Sequence, residues 1–229
     1  MLKQLVHIPA GAVSLEGMLE VPQDAQGVVL FAHGSGSSRH SPRNNYVAGV
    51  LRESGLGTLL IDLLTREEDS DYANRFNIPL LTQRLLAAVH WLDEAPQTQT
   101  LHIGLFGAST GAAAALMVAA QLPGKIGAVV SRGGRPDMAG ADELSRVKAP
   151  TLLLVGGFDD VVIELNQQAY AYLDCQKELV IVPGATHLFE EPGTLEEVAH
   201  QAARWFSGYL NDGEVYSGSI SVLHFPFLK

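Results

Sequence analysis

Ser109 stands in the stretch Gly107-Ala108-Ser109-Thr110-Gly111, directly after an apolar run (Leu101 to Phe106) and directly before a small-residue segment (Ala112 to Ala120). Strand, sharp Gly-x-Ser-x-Gly turn and helix is the context in which this short pattern becomes a nucleophile elbow. The two glycines let backbone and helix approach closely, so the Ser109 hydroxyl can stand exposed above a sheet. A serine hydroxyl is a poor nucleophile near neutral pH, so it needs a base and a group that orients the base. Candidates for both follow later in the chain. Thr151 to Val155 reads as a strand and runs into Gly156-Gly157-Phe158-Asp159-Asp160; Leu179 to Val182 reads as another and runs into Pro183-Gly184-Ala185-Thr186-His187. Reacting groups of a parallel sheet gather at the carboxyl ends of its strands. Ser109, Asp159 and His187 each meet that condition, in the order serine, acid, histidine. His187 would take the proton from Ser109 and return it to the leaving group, while Asp159 holds the imidazole in the right tautomer. Asp160, next to Asp159, and Asp137, after the preceding strand, are the competing acids.

A developing oxyanion needs two backbone N–H groups aimed at it. Thr110, the residue after the nucleophile, would give one. The other would come from His33-Gly34-Ser35-Gly36-Ser37-Ser38, which follows the apolar strand Val28 to Ala32; Ser35 is the first choice and Gly34 the next. His33 precedes the serine and sits on the strand end, so it reads as a brace for this loop rather than as the base. Arg39, His40 and Arg43 continue the same loop, and Arg132 and Arg135 lie in Ser131-Arg132-Gly133-Gly134-Arg135-Pro136-Asp137. These cations have two readings. They could hold a carboxylate or phosphate on the substrate, or they could pair internally with Asp137, Glu190, Glu191 or the acidic stretch 67–71.

The elements that must position these residues alternate short apolar runs with longer amphipathic or alanine-rich segments, the pattern of a mostly parallel sheet wrapped by helices. Leu2 to Ile8 and Ser14 to Val21 read as two opening strands joined at Pro9-Ala10-Gly11. Further strands are expected at Val28 to Ala32, Thr58 to Ile61, Leu101 to Phe106, Ile126 to Val130, Thr151 to Val155 and Leu179 to Val182. Helices are expected near Asn44 to Ser54, ended by Gly55, and near Pro79 to Leu92, Val162 to Leu173 and Thr194 to Leu210. Leu81, Leu85, Val89 and Leu92 share one face of the second of these. The polar, acidic stretch Leu63 to Asn77 has no clear period and reads as a long surface loop.

The 229 residues suffice for one large α/β domain, expected over residues 1–210, with no insertion large enough for a separate cap. A net charge of −10 argues against nucleic acid or an anionic membrane surface as the main partner. The single cysteine, Cys175, forbids an internal disulfide and a Cys-rich metal site, and reads as an inert helix-end residue. No signal-peptide core or membrane-length apolar run is present, so a soluble, cytoplasmic protein is expected. Residues 211–229 are set apart. They read as a loosely attached terminus, or as a strand that docks on a neighbouring subunit and makes a homo-oligomer.

Five segments together carry a resemblance: HGSGSSRHSPRN at 33–44, GASTG at 107–111, VSRGGRPD at 130–137, the stretch 149–159, and VPGATHLFEEP at 182–192. The chain resembles the α/β-hydrolase superfamily, and within it the small, capless dienelactone hydrolase-like branch, including bacterial hydrolases sometimes fused to a phosphoribosyltransferase domain. The resemblance covers about residues 1–210. It implies an eight-stranded sheet, a Ser109–Asp159–His187 triad, and ester hydrolysis with no metal or organic cofactor. True dienelactone hydrolases carry a cysteine at the elbow, and this chain has Ser109, which moves the expectation toward ordinary short-chain carboxylic esters. The competing functions are amide or acyl-transfer chemistry on the same triad, and a non-catalytic binding protein on the hydrolase fold. Haloalkane dehalogenation is excluded, since it needs a carboxylate in place of Ser109.

Overall fold

The computed structural model describes residues 1–211. The chain opens with two nine-residue strands, β1 (Leu2–Ala10) and β2 (Val13–Val21), in an antiparallel hairpin. Strand β3 (Gly27–Ala32) is wholly buried. Helix α1 (Pro42–Glu53) follows, with the Ser41 hydroxyl accepting from the Asn44 N–H and Pro42 in the first turn, where a missing N–H costs nothing. After β4 (Gly57–Ile61) come the four-residue helix α2 (Arg66–Asp69), a 3-10 turn (Tyr72–Phe76), and helix α3 (Ile78–Glu94). Then come β5 (His102–Ala108), α4 (Thr110–Gln121), β6 (Ile126–Arg132), a short 3-10 turn (Pro136–Ala139) and α5 (Ala141–Arg146). The described part closes with β7 (Thr151–Gly156), α6 (Asp160–Tyr172), β8 (Lys177–Val182) and α7 (Thr194–Leu210).

All eight strands form one sheet in the order β1-β2-β4-β3-β5-β6-β7-β8. Strands β3 to β8 run parallel to their neighbours, and the hairpin joins through an antiparallel β2–β4 pairing. Side-chain alternation sorts β3 between two cores. Val28, Leu30 and Ala32 pack with α3 and α4, whereas Val29 and Phe31 pack with α1 and α7. A row of glycines lets α7 sit unusually close to the sheet. A β-carbon on Gly104 would lie 2.7 Å from the Phe206 ring, and those on Gly27 and Gly127 would press on Leu210 at 2.6 and 2.7 Å.

The expected mostly parallel eight-stranded sheet with flanking helices is present. The stretch 63–77 differs from the expected loop. Thr65 and Glu68 close a capping box around α2, and the Asp71 carboxylate accepts from the Ala73 N–H to start the next turn. Arg75 fastens this segment through Asp69 at 2.9 Å, and Arg84 of α3 fastens it through Glu68 at 2.5 Å. Four helical residues are too few for a periodic signal, so only the T-x-x-E spacing announced the helix. Helix α5 was likewise not foreseen, α1 begins two residues earlier than expected, and β6 runs on to Arg132. The proposed role of the tail in assembly falls outside the described residues. No helix of the described residues is long and apolar enough to cross a membrane.

Candidate active site

Strand β5 delivers Ser109 to the middle of the sheet's carboxyl edge, and α4 starts at the next residue. Ser109 has φ 50° and ψ −121°, a conformation that strains any residue with a β-carbon. Its neighbours hold it there. The Ser109 N–H donates to the Arg132 carbonyl (3.3 Å), and the Ser109 carbonyl accepts from Arg135 and Ala112, both at 3.1 Å. The flanking glycines are needed for contact rather than for their dihedrals. A β-carbon on Gly107 would lie 2.4 Å from Ala112 Cα, and one on Gly111 only 2.2 Å from the Ala32 carbonyl oxygen.

Asp159 and His187 leave the ends of β7 and β8, and their loops are zipped together. Gly157 N–H donates to the Val182 carbonyl and Phe158 N–H to that of Ala185, both at 2.9 Å. His187 Nδ1 and Asp159 Oδ2 lie 2.6 Å apart, with the aspartate mostly buried and the histidine partly open. With the carboxylate ionised, Nδ1 carries the proton and donates it, which leaves Nε2 as the free base. Gly133, with φ +49°, joins the two halves of the site. It follows Arg132, whose carbonyl receives the Ser109 N–H, and a β-carbon on it would lie 3.5 Å from His187 Nδ1. The competing acids are placed elsewhere. Asp160 is the exposed first residue of α6, and Asp137 takes a bidentate bond from Arg135, both contacts at 2.8 Å.

Gly34 packs directly on the nucleophile, since its β-carbon would come within 3.0 Å of Ser109 Cβ. The Ser37 N–H closes a turn onto the Gly34 carbonyl (3.2 Å), which leaves Ser35 in the turn's middle. Thr110 opens α4, where an N–H has no carbonyl one turn earlier to receive it. His33 braces this loop, as its place on the strand end suggested. Its Nδ1 lies 2.9 Å from the Gly34 carbonyl, and its Nε2 accepts from the Leu63 N–H at 3.0 Å. Burial pushes the His33 pKa below 6.5 and outweighs the Gly34 bond, which acts the other way. A neutral imidazole with a proton on Nδ1 satisfies both contacts.

The cations divide. Arg135 pairs with Asp137, and Arg43 with Glu190 at 3.1 Å, as the internal reading expected. Arg39 pairs too, but outside the expected set, with Asp62 and with Glu16. The Arg39 charge is therefore already answered by two carboxylates, which speaks against it as a free clamp. Arg132 is only 8% exposed and has no carboxylate partner among the described residues. Its Nη2 reaches Asn44 Oδ1 at 3.4 Å, Nε and Nη1 find no acceptor among those residues, and the guanidinium lies 6.0 Å from the centre of the Phe189 ring. Burial, with Arg43 adding to it, lowers its pKa to about 10. A cleft of about 570 Å³ runs beside the loop after β3, lined by Ser38, Arg39, His40, Leu15, Asp62 and Arg66 among others. Cys175 is half-buried with its thiol pushed up by burial, consistent with an inert residue. No cluster of metal-ligating side chains occurs among the described residues.

Sequence reasoning passed over two features. Phe189, two residues past His187, is buried with φ +55°, and only the backbone reveals that bend. Phe158, Val161 and Leu188 are exposed apolar side chains close to Asp159 and His187 in the chain. Their apolar type, next to Asp159 and His187, was the available signal.

A parallel sheet of this order with a strand–elbow–helix at its centre defines an α/β hydrolase. More narrowly, the chain belongs to the dienelactone hydrolase family, whose model matches residues 15–210. The solved dienelactone hydrolase from Anabaena variabilis is 55% identical, with a TM-score of 0.89 over 92% of this chain and 99% of that one. Est1E from Butyrivibrio proteoclasticus shares the fold at 16% identity, with a TM-score of 0.76 over 89% of this chain and 97% of that one. Two Mycobacterium tuberculosis proteins, provisionally named phosphoribosyl transferases, are 58% identical over 205 residues. That match takes in 90% of this chain but 46% of each of theirs, so the chain spans about half the length of these curated relatives.

Proposed function

We propose that this chain is a serine carboxylesterase that cleaves short-chain esters through an acyl-enzyme intermediate. The observation that carries the reading is the 2.6 Å contact between His187 Nδ1 and Asp159 Oδ2. It supports His187 Nε2 as the base at the sheet edge where strained Ser109 stands. In the proposed cycle, Ser109 Oγ attacks the ester carbonyl as its proton passes to Nε2. The Thr110 and Ser35 N–H groups receive the oxyanion. Collapse expels the alcohol, which takes the proton from Nε2; water then attacks the acyl-serine by the same route and frees the carboxylic acid. Asp159 stays ionised throughout and stabilises the imidazolium.

Ser109, in place of the cysteine of true dienelactone hydrolases, supports ordinary esters over dienelactone. That the described residues form no separate cap domain supports short acyl chains. The transferase in the names of the longer relatives would need a site of its own, because the residues matched here are taken up by the hydrolase sheet. The test is hydrolysis of p-nitrophenyl acetate and butyrate by wild type and Ser109→Ala. Loss of the nucleophile is expected to lower turnover by about a millionfold. Activity that survives the substitution, or a series of acyl lengths that peaks at long chains, would overturn the reading.

A further inference from the structure

Asp159 and His187 are flanked in the chain by apolar side chains that the fold leaves in water. Phe158 immediately precedes Asp159 and is 71% exposed; Leu188 immediately follows His187 and is 40% exposed. Val161, 71% exposed, lies in the first turn of α6, the helix that Asp159 caps. Because Asp159 and His187 touch at 2.6 Å and their loops share the Gly157–Val182 and Phe158–Ala185 bonds, the three side chains belong to one rim. Scattered exposed apolar residues are ordinary, but three on two loops bonded to each other beside a polar pair suit a surface that something covers.

We propose that this rim is the subsite for the leaving alcohol and that it selects esters of bulky aromatic alcohols that carry no negative charge. The inference rests on the esterase reading. In that chemistry the departing oxygen must lie beside His187 Nε2 to take its proton, so whatever hangs from that oxygen lies against the residues that flank His187 and Asp159. The surrounding charge fixes the class further. Asp160 and Glu190 are exposed carboxylates on the same two loops, and Arg43 answers only Glu190. An anionic alcohol would meet like charge at Asp160, whereas a neutral aromatic body covers Phe158, Val161 and Leu188.

The experiment keeps the acetyl group constant and varies the alcohol, comparing kcat/KM for 2-naphthylmethyl acetate and methyl acetate. Wild type is expected to favour the naphthylmethyl ester. Phe158→Ser and Leu188→Ser are each expected to shrink that preference by about tenfold, mainly through KM, the effect of one lost aromatic or leucine contact. Tyr172→Ser, at the far end of α6 and 51% exposed, serves as the control and should leave the ratio alone. An unchanged ratio in both rim variants overturns the proposal. So does a rim variant that turns an oligomer into a monomer with its leaving-group selectivity intact, because the rim would then be an interface. Failure of the esterase reading is distinct: it appears as hydrolysis insensitive to Ser109→Ala.

Discussion

The contact between α4 and the end of β3 makes Gly111→Ala a sharp test of how the elbow is held. A β-carbon there would meet the Ala32 carbonyl oxygen at 2.2 Å and that of His33 at 2.5 Å. Both are backbone atoms and cannot swing aside. Ordinary carbon–oxygen contacts begin near ~3.3 Å, so the start of α4 must retreat from β3 by about 1 Å. Overpacking of this kind costs about 1–3 kcal/mol, and the better helix propensity of alanine returns only part of it. A net loss of about 2 kcal/mol lowers the melting temperature of a chain this size by roughly 4–8 °C. The catalytic loss should be larger than the stability loss implies. The same retreat moves Ser109 and the Thr110 N–H away from the Ser35 loop, and a misplacement of about 1 Å costs about a hundredfold in rate. The assay pairs thermal unfolding with kcat/KM on p-nitrophenyl acetate, measured well below the transition. Gly34→Ala presses more gently, at 3.0 Å from Ser109 Cβ, and should lose about tenfold in rate with under ~1 kcal/mol of stability. Gly124→Ala is the reference. Its φ of +81° makes alanine strained, yet nothing stands within 4 Å and it lies in the turn after α4, so stability should fall with activity intact. A Gly111→Ala protein with wild-type kcat/KM would refute the argument that this contact sets the oxyanion geometry.

Asp159→Asn should cut kcat by about 10³–10⁴-fold by stabilising the wrong imidazole tautomer, whereas Asp160→Asn should stay near wild type; steady-state kinetics on both variants checks this. His33 gives a pH signature. Its folded pKa is pushed below 6.5, so below that pH the unfolded chain takes up a proton that the folded chain refuses. Its contribution is whole above pH 6.5 and is lost as pH falls toward the folded value, at no more than about 1.4 kcal/mol per pH unit. Urea midpoints from pH 7 to pH 5 should fall less steeply in His33→Gln than in wild type. Arg132→Met removes a buried cation with no carboxylate partner among the described residues and should raise stability by about 1–3 kcal/mol, read as a higher urea midpoint; a lower midpoint would show that its donors are satisfied.

The candidate nucleophile, acid and base were legible because Ser109, Asp159 and His187 each follow an apolar run within a few residues, and strand ends can be read from composition alone. The brace role of His33 followed from the same placement. What could not be read depends on contacts between distant segments. Asp62 meets Arg39 and Glu16 only because β2 and β4 pair antiparallel, with the Asp62 N–H donating to the Glu16 carbonyl at 3.0 Å. Nothing in the local sequence couples these three residues. The 2.6 Å contact that separates Asp159 from Asp160 is likewise a matter of which side chain the start of α6 turns toward His187. The four residues of α2 fall below the length at which periodicity can speak, and capping chemistry alone marks them.

Strand β8 lies at the outer margin of the sheet, bonded on one side to β7. His187 hangs from that margin, and α7, which lies over β3, β5 and β6, follows it in the chain. A ribosome therefore releases Ser109 and the loop after β3 long before His187. Parallel pairing between distant segments is also the slow part of folding. On the esterase reading, a nascent or half-refolded chain can present a complete elbow and remain chemically silent until β8 docks beside β7. On that reading, the onset of hydrolysis reports the docking of β8.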